Sequence, residues 1–536
     1  MHLLSKSNIF IVLCVCCAPF GMKAEDSQGI RISFSQPGAV YHTNEKGQIF
    51  ITPNGKYNKI TLNITDIDGK EVEKKTYRVA TDNVITHDFR EKHLGYYALT
   101  AIGQRDDNSA DTVKTGFGVI PDVTLHAKDW DSPFGVCGHF VRYDYKKKHI
   151  ASVQQRLGIA WLRDESNWMK VAKENLPSDP DLDYLDKHNI CWLNLFGYIN
   201  SFNGIQGKDS VWRWDEDLAL LKKYVELTKG HFQVFESQNE PNNFGGWSKR
   251  WPHPQGQQWR PHGWGKPFSD LLKQMHDSIA AVDPGIRLMW PGEDEWIEYF
   301  VEKNNAASRI DITTIHPYVN ASFYPETEKY ATGEYARRKA ALRKLGVNPE
   351  IWVTELGWTT YQSQGKNERY IPVTEKQQAA FLVRTYLSHL YYGAKKVFWY
   401  ELADEPFGIH NPESSFGLIR FDESLTVKPS AVAYSNMVNM YRHAVPTGKY
   451  TGNCYGFAYR NADENMLCLW TKEKPQEEIL SLPHTKKVTL TDIYGRSRTL
   501  KVRKGQIRLT ISGSPVTLTG INDKDMEALY TPRPTD

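Results

Sequence analysis

Three rhythms of apolar and polar residues follow one another along the chain. From about Ser27 to about Val123, short β-branched or aromatic runs recur: Ile49-Phe50-Ile51, Ile60-Thr61-Leu62-Asn63-Ile64 and Tyr96-Tyr97-Ala98-Leu99-Thr100. Pro53-Asn54-Gly55 and Asp68-Gly69 punctuate them. Short strands separated by turn-forming residues predict a β-sandwich. From about Trp130, short apolar runs alternate with longer helical patterns, which predicts parallel βα units. The candidate strands are Phe134-Gly135-Val136, Ile159-Ala160-Trp161-Leu162, Cys191-Trp192-Leu193-Asn194-Leu195, Phe232-Gln233-Val234-Phe235, Arg287-Leu288-Met289-Trp290, Ile312-Thr313-Thr314-Ile315, Ile351-Trp352-Val353-Thr354 and Val397-Phe398-Trp399-Tyr400. Helical segments such as Phe268 to Val282 and Thr374 to Tyr392 lie between them. Eight such units in roughly 310 residues predict a (β/α)8 barrel with insertions.

From about Pro446 the strand pattern returns, in Tyr455-Gly456-Phe457-Ala458-Tyr459, Met466-Leu467-Cys468-Leu469-Trp470, Lys487-Val488-Thr489-Leu490 and Ile507-Arg508-Leu509-Thr510-Ile511. The tail after Ile521 is polar and is expected to fray. The expected fold class is therefore α/β, a TIM barrel with N-terminal and C-terminal β-sandwich-like domains. The expected boundaries are a leader over 1–24, a β-sandwich over 25–128, the barrel over 129–442 and a second β domain over 443–536.

The leader has the anatomy of a secretory signal. Lys6 gives a positive start, Ile9 to Phe20 is a short apolar stretch, and Met22-Lys23-Ala24 is a passable cleavage site before Glu25. A secreted or periplasmic protein is expected. Cys14, Cys16 and Cys17 leave a lipid-anchored form as the alternative. The apolar stretch is too short to span a bilayer, and no other run is long enough. Four cysteines follow the leader: Cys137, Cys191, Cys454 and Cys468. None has CxxC spacing, so no zinc site is expected. Cys454 and Cys468 fall on adjacent predicted strands and can pair; buried free thiols are the equal alternative.

A length of 536 residues suits a barrel with accessory domains. Net charge is +3, so no basic field calls for a nucleic-acid partner. The chain carries 16 Trp and 28 Tyr. Aromatic faces stack on sugar rings, but large cores and sandwiches use them too, so this richness alone does not decide.

The polar residues that follow the strands change the picture, because a TIM barrel keeps its active site there. Strand four runs into Glu236-Ser237-Gln238-Asn239-Glu240-Pro241-Asn242, and strand seven into Thr354-Glu355-Leu356-Gly357-Trp358. Strands four and seven face each other across a closed eight-stranded barrel. Cleaving a glycosidic bond takes two carboxyl groups, one protonated and one ionised. Glu240 and Glu355 are the candidates, and Asn239 is placed to bond a sugar hydroxyl.

These segments resemble the clan A glycoside hydrolases, and the family 39-like enzymes most nearly, over roughly residues 130 to 442. In that clan the acid/base lies in an Asn-Glu-Pro motif after strand four, here Asn239-Glu240-Pro241, and the nucleophile in a Glu after strand seven, here Glu355. Leu162-Arg163-Asp164 resembles the strand-two segment that ends in an active-site Arg. Ile315-His316-Pro317-Tyr318 resembles the strand-six segment whose His and Tyr sit beside the nucleophile. Phe398-Trp399-Tyr400-Glu401 resembles the strand-eight segment whose Trp floors the sugar subsite. Phe416-Gly417-Leu418 and Lys428-Pro429 also match the stretch after strand eight. The clan's usual Trp before Asn-Glu-Pro is replaced here by Gln238.

The resemblance implies a secreted retaining hydrolase of β-glycosidic bonds acting on an oligo- or polysaccharide by double displacement. An endo-acting β-glucanase and a catalytically inactive carbohydrate-binding barrel are the alternatives. The implied substrate-binding residues are Asn239, Arg163, His316, Tyr318 and Trp399. No metal or organic cofactor is expected. His139 follows strand one and either contacts substrate or is a buried structural histidine. Glu236 is expected to support the barrel rim, and Asp164 and Glu165 to pair with Arg163 or cap a helix. Glu293 and Asp294 either bind substrate or are solvated. Glu401, Asp404 and Glu405 are expected to be loop residues, with a sugar hydroxyl as the alternative partner for one of them. His253 and His262 share a stretch with Trp247, Trp251, Trp259 and Trp264, which is expected to wall the substrate site. It lacks acidic or Cys partners at metal-ligand spacing. Strand alternation is expected to aim Trp399 at the substrate and Tyr400 at the helices. Asn63-Ile64-Thr65 and Asn320-Ala321-Ser322 are glycosylation sequons, relevant only in a eukaryotic secretory path.

Overall fold

The computed structural model describes residues 29–533 apart from 80–82, 141–146, 197–204, 207–208, 210–211, 242–262, 293–295, 320–323, 327–332 and 366–369. The leader, Trp247, Trp251, Trp259, His253, His262, Glu293, Asp294 and the sequon at Asn320 lie outside the described residues.

The eight candidate strands form one closed parallel barrel. In order they are Phe134–Cys137, Trp161–Glu165, Cys191–Leu195, Val234–Glu236, Arg287–Pro291, Ile312–Ile315, Glu350–Leu356 and Lys396–Trp399. Strand eight closes on strand one, with Val397 opposite Phe134. Parallel strands are covered by helices outside and side chains inside, so they carry unbroken apolar runs. All five residues of strand three are buried. The interior contains Trp161, Trp352 and Phe398 in mutual contact. The Lys396 ammonium lies 4.7 Å from the Trp161 ring centre and donates to the carbonyls of Trp130 and Ser132. Burial pushes its pKa down to about 8.

The helix after strand seven, Glu375–Tyr392, shows how local chemistry sets an element's ends. Thr374 and Gln377 form a reciprocal capping box, and Gly393 stops the helix in the left-handed region. The helix after strand four, Gly265–Val282, starts beside Trp264. Trp264 is fully buried and packs edge-on against Trp296, so it belongs to the core and not to a substrate wall.

The N-terminal strands form two sheets. Gly29–Phe34, Gly47–Asn54 and Ile85–Phe89 make one; Val40–His42, Ala110–Ile120, Gly95–Gln104, Lys59–Asp66 and Glu71–Arg78 make the other. Ile49, Ile51, Leu62, Leu99 and Phe117 fill the space between them. The C-terminal region forms a seven-stranded sheet and a two-stranded ribbon. The tail past Ile521 does not fray as expected. Asn522 caps a short helix, Asp523–Glu527, and Tyr530–Pro532 pairs with Val445–Tyr450. Met526 and Leu529 are buried in the sheet core, and the Asp525 carboxylate accepts from the His484 amide and the Thr485 hydroxyl. Cys454 and Cys468 are free, buried thiols. Tyr455 pairs with Trp470 and Phe457 with Cys468, so Cys454 lies beyond the paired stretch and cannot face Cys468. Among the described residues, no helix is long and apolar enough to cross a membrane.

A buried ion pair ties barrel to C-terminal sheet. Arg384, on the helix after strand seven, donates to both Glu326 oxygens at 2.6 and 2.5 Å and to the Gly513 carbonyl. Trp470 of the sheet donates its indole N–H to the same carboxylate at 2.7 Å. Removing one partner leaves the other charge buried and unpaired. Arg384→Ala is expected to lower stability by about 3–5 kcal/mol in urea melts. A loss below about 1 kcal/mol, the size of a surface pair, would show that the pair does not hold these parts together.

Candidate active site

The candidate site residues converge at the carboxyl ends of the strands. Strand four ends at Glu236, and the chain continues through buried Ser237 and Gln238 to Asn239 and Glu240. Glu240 adopts φ +36°, a region residues with a Cβ rarely occupy. Such strain persists only where surrounding contacts hold it. One such contact is His316, whose Nδ1 lies 2.8 Å from Glu240 Oε1.

Strand seven solves a different problem. Strict alternation cannot aim both Thr354 and Glu355 inward. Between Val353 and Leu356 the strand carries one residue more than its partner, three steps against the two from Val397 to Trp399. This bulge lets Thr354 bond His316 while Glu355 enters the barrel mouth. Both Glu355 oxygens are held. Tyr318 donates its hydroxyl to Oε1 at 2.9 Å, and Arg163 donates Nη1 to Oε2 at 3.0 Å. Burial, then the Glu355 charge, holds the Tyr318 phenol well above its ordinary pKa, so it stays a donor.

Arg163 is the hub. Its Nε and Nη2 clasp Glu236 at 2.6 and 2.8 Å, and Nη2 also donates to Asn239 Oδ1 at 2.8 Å. Burial alone would lower its pKa, but Glu236 and then Glu355 hold it well above the ordinary value. Glu236 is 1% exposed; it does more than support the rim, because it neutralises and aims the arginine. Asp164 is not that partner: its carboxylate accepts from the amides of Phe140 and Glu165.

A second cluster faces this one. His139 Nε2 lies 3.6 Å from Glu401, 3.4 Å from Glu405 and 3.3 Å from the Tyr400 hydroxyl. Glu401 is buried, and its Oε1 has no hydrogen-bond partner among the described residues. Burial first, then Glu405 and Asp404, pushes its pKa well above the carboxylate range. Asp404 is tied back to Lys428 at 2.7 Å and to the Gly417 amide. Ligand atoms of His139, Glu401 and Glu405, and likewise of Glu240, His316 and Glu355, lie within 4.8 Å of one another, a spacing a divalent ion can also span. In the second set His316 and Glu240 are already hydrogen-bonded together.

Strand eight corrects the expected register. Trp399 is fully buried, stacks on Trp358 at 5.8 Å and donates Nε1 to the Phe416 carbonyl. It cannot stack on a sugar. Tyr400 reaches His139 instead. Lys396 and Phe398 point into the barrel, so alternation sends Trp399 outward and Tyr400 inward. No local signal pointed to this: a lysine at 396 reads as outward-facing, which by alternation would leave Trp399 inward, whereas in the structure Lys396 is buried inside the barrel.

No family model matches the chain, and no curated relative matches it. Among solved structures, it is similar to a family 39 glycoside hydrolase from the gut symbiont Bacteroides cellulosilyticus WH2. The two share 21% identity over 92% of this chain and 100% of that one, with a TM-score of 0.68. It is also similar to a GH30 endoxylanase from Clostridium papyrosolvens C71, at 13% identity over 75% and 99% of the two chains and a TM-score of 0.48. The first likeness shows the fold: a (β/α)8 barrel with flanking β sheets, of the kind that family 39 glycoside hydrolase has.

The corrected register predicts opposite behaviour for two neighbours. Trp399→Ala empties a core site and is expected to cost about 3–5 kcal/mol in chemical melts. Tyr400→Phe removes only a hydroxyl and is expected to cost less than about 1.5 kcal/mol. The reverse order would return the strand to the other register.

Proposed function

We propose that this protein is a secreted retaining glycoside hydrolase that cleaves β-glycosidic bonds of an oligo- or polysaccharide. The observation that carries the proposal is the carboxylate pair: an oxygen of Glu240 and one of Glu355 lie within 4.8 Å across the barrel mouth. Retaining enzymes hold their carboxyl groups about 5–5.5 Å apart, whereas inverting enzymes leave about 6.5–9.5 Å for a water. The shared fold and the Asn239-Glu240-Pro241 motif support the same reading, and the apolar leader supports export.

Glu355 is the nucleophile. Arg163 and Tyr318 hold its two oxygens and orient it toward the anomeric carbon. Attack forms a glycosyl–enzyme ester while Glu240 gives its proton to the departing oxygen. Glu240 then takes a proton from water, which attacks the same carbon and frees Glu355 with retained configuration. Arg163 occupies Asn239 Oδ1, which leaves the Asn239 amide N–H group to donate to a sugar hydroxyl. His139, the most exposed member of the cluster with Glu401 and Glu405, is the group on the strand-one side placed to bond a further sugar hydroxyl.

Three outcomes test this. Proton NMR of the first-formed product is expected to show the substrate's own anomer; the opposite anomer would rule out double displacement. Glu355→Ala is expected to abolish turnover with the fold intact, and azide is expected to restore it with inverted product. Glu240→Ala is expected to cost about 10²–10⁴-fold on an alkyl glycoside and far less in the first step with an activated aryl glycoside. Equal losses on the two substrates would remove Glu240 from the acid role.

A further inference from the structure

Behind Glu240 lies a chain of hydrogen bonds that the two-carboxylate mechanism does not use. Glu240 Oε1 meets His316 Nδ1 at 2.8 Å, and His316 Nε2 meets Thr354 Oγ1 at 3.0 Å. Thr354 Oγ1 is in turn hydrogen-bonded to Thr314 Oγ1. Both threonines are buried, and the His316 side chain is 4% exposed. Thr354 is the only hydrogen-bond partner of the Thr314 hydroxyl among the described residues.

Counting protons gives this chain a direction. In one sense Thr314 donates to Thr354, Thr354 donates to His316 Nε2, and His316 Nδ1–H donates to Glu240. Every hydroxyl hydrogen then has an acceptor. In the other sense Glu240 donates to His316, Nε2–H donates to Thr354, and Thr354 donates to Thr314. The Thr314 hydrogen is then left buried without an acceptor, and burying an unsatisfied polar group is costly. A second proton on the ring would demand the same reversed chain. The buried end thus selects one tautomer of His316, the one with hydrogen on Nδ1.

We infer that Thr314 and Thr354 are positioning residues that lock His316 as a donor to Glu240 Oε1. Oε1 is thereby always an acceptor, and the acidic proton of Glu240 sits on Oε2. The catalytic part of this inference rests on the glycosidase reading above; the tautomer does not. A glutamic acid free to donate to His316 would hold its proton on the wrong oxygen, away from the leaving group. A buried carboxylate fixes the tautomer of an imidazole in other acid–base sites in the same way; here hydroxyls take its place.

The test has one arm that needs no turnover. In ¹⁵N-histidine NMR of the full chain, His316 is identified as the signal lost in His316→Asn. It is expected to be the Nδ1–H tautomer at neutral pH and to become a mixture in Thr354→Val, which keeps the shape and removes the hydroxyl. Thr354→Ser is expected to restore the wild-type spectrum. If Thr354→Val does not fold, Thr314→Val carries the same expectation in weaker form. An Nε2–H tautomer or a doubly protonated ring in the wild type, or an unchanged tautomer in the variant, would overturn the inference.

The second arm reads catalysis. Thr354→Val is expected to lower kcat on an alkyl glycoside about 10- to 100-fold, part of the general-acid contribution, with the first step on a dinitrophenyl glycoside changed little. Equal loss on both substrates would overturn the positioning role. A wild type with the Nδ1–H tautomer but no turnover of any glycoside would instead refute the glycosidase reading and leave the tautomer assignment standing.

Discussion

The site depends on one buried guanidinium. Arg163 enters the barrel from strand two and is almost wholly removed from water. Such a charge is tolerated only with good geometry and full hydrogen bonding. Glu236 supplies a bidentate partner from strand four, Asn239 an oxygen three residues later, and Glu355 an oxygen from strand seven. One planar fork therefore fixes the relative positions of three strands. A lysine could not, since it offers a point charge without a fork. Glu236 neutralises the arginine, so the arginine can hold Glu355 without its own charge being left uncompensated.

The rest of the mouth is arranged around that fork. The bulge in strand seven lets consecutive residues serve different partners, Thr354 for His316 and Glu355 for Arg163 and Tyr318. The loop after strand eight brings Glu401 and Glu405 to His139, on the side away from Glu240. The two halves differ in electrostatic character. Around Glu355, charges are paired and hydrogen bonds satisfied. Around Glu401, carboxyl groups crowd together, and burial resists the ionisation of Glu401 and Asp404.

Much of this was legible along the chain. Eight apolar runs gave the barrel because strands covered on both faces must be apolar throughout, and helices between them leave a different period. Glu240 and Glu355 were visible because a barrel concentrates chemistry at strand ends. What failed was parity. Trp399 and Tyr400 are adjacent aromatics, each acceptable on either face, and a one-residue error exchanges them. The buried tail past Ile521 was missed because its anchors, Met526 and Leu529, are two apolar residues in a polar stretch.

By itself the sequence determined the barrel, the strand ends that carry its carboxylates, and the motif residues Asn239, Glu240 and Glu355, all of which follow from local pattern and strand order. Only the tertiary structure decided that Glu236 clasps Arg163, that Tyr400 and not Trp399 faces His139, that Cys454 and Cys468 stay apart, and that two threonines stand behind His316. Each of these joins residues far apart in the chain or depends on the register of neighbouring strands. Local periodicity carries no information on either, because it is set by one strand's own backbone, whereas register is set by how neighbouring strands pack in three dimensions.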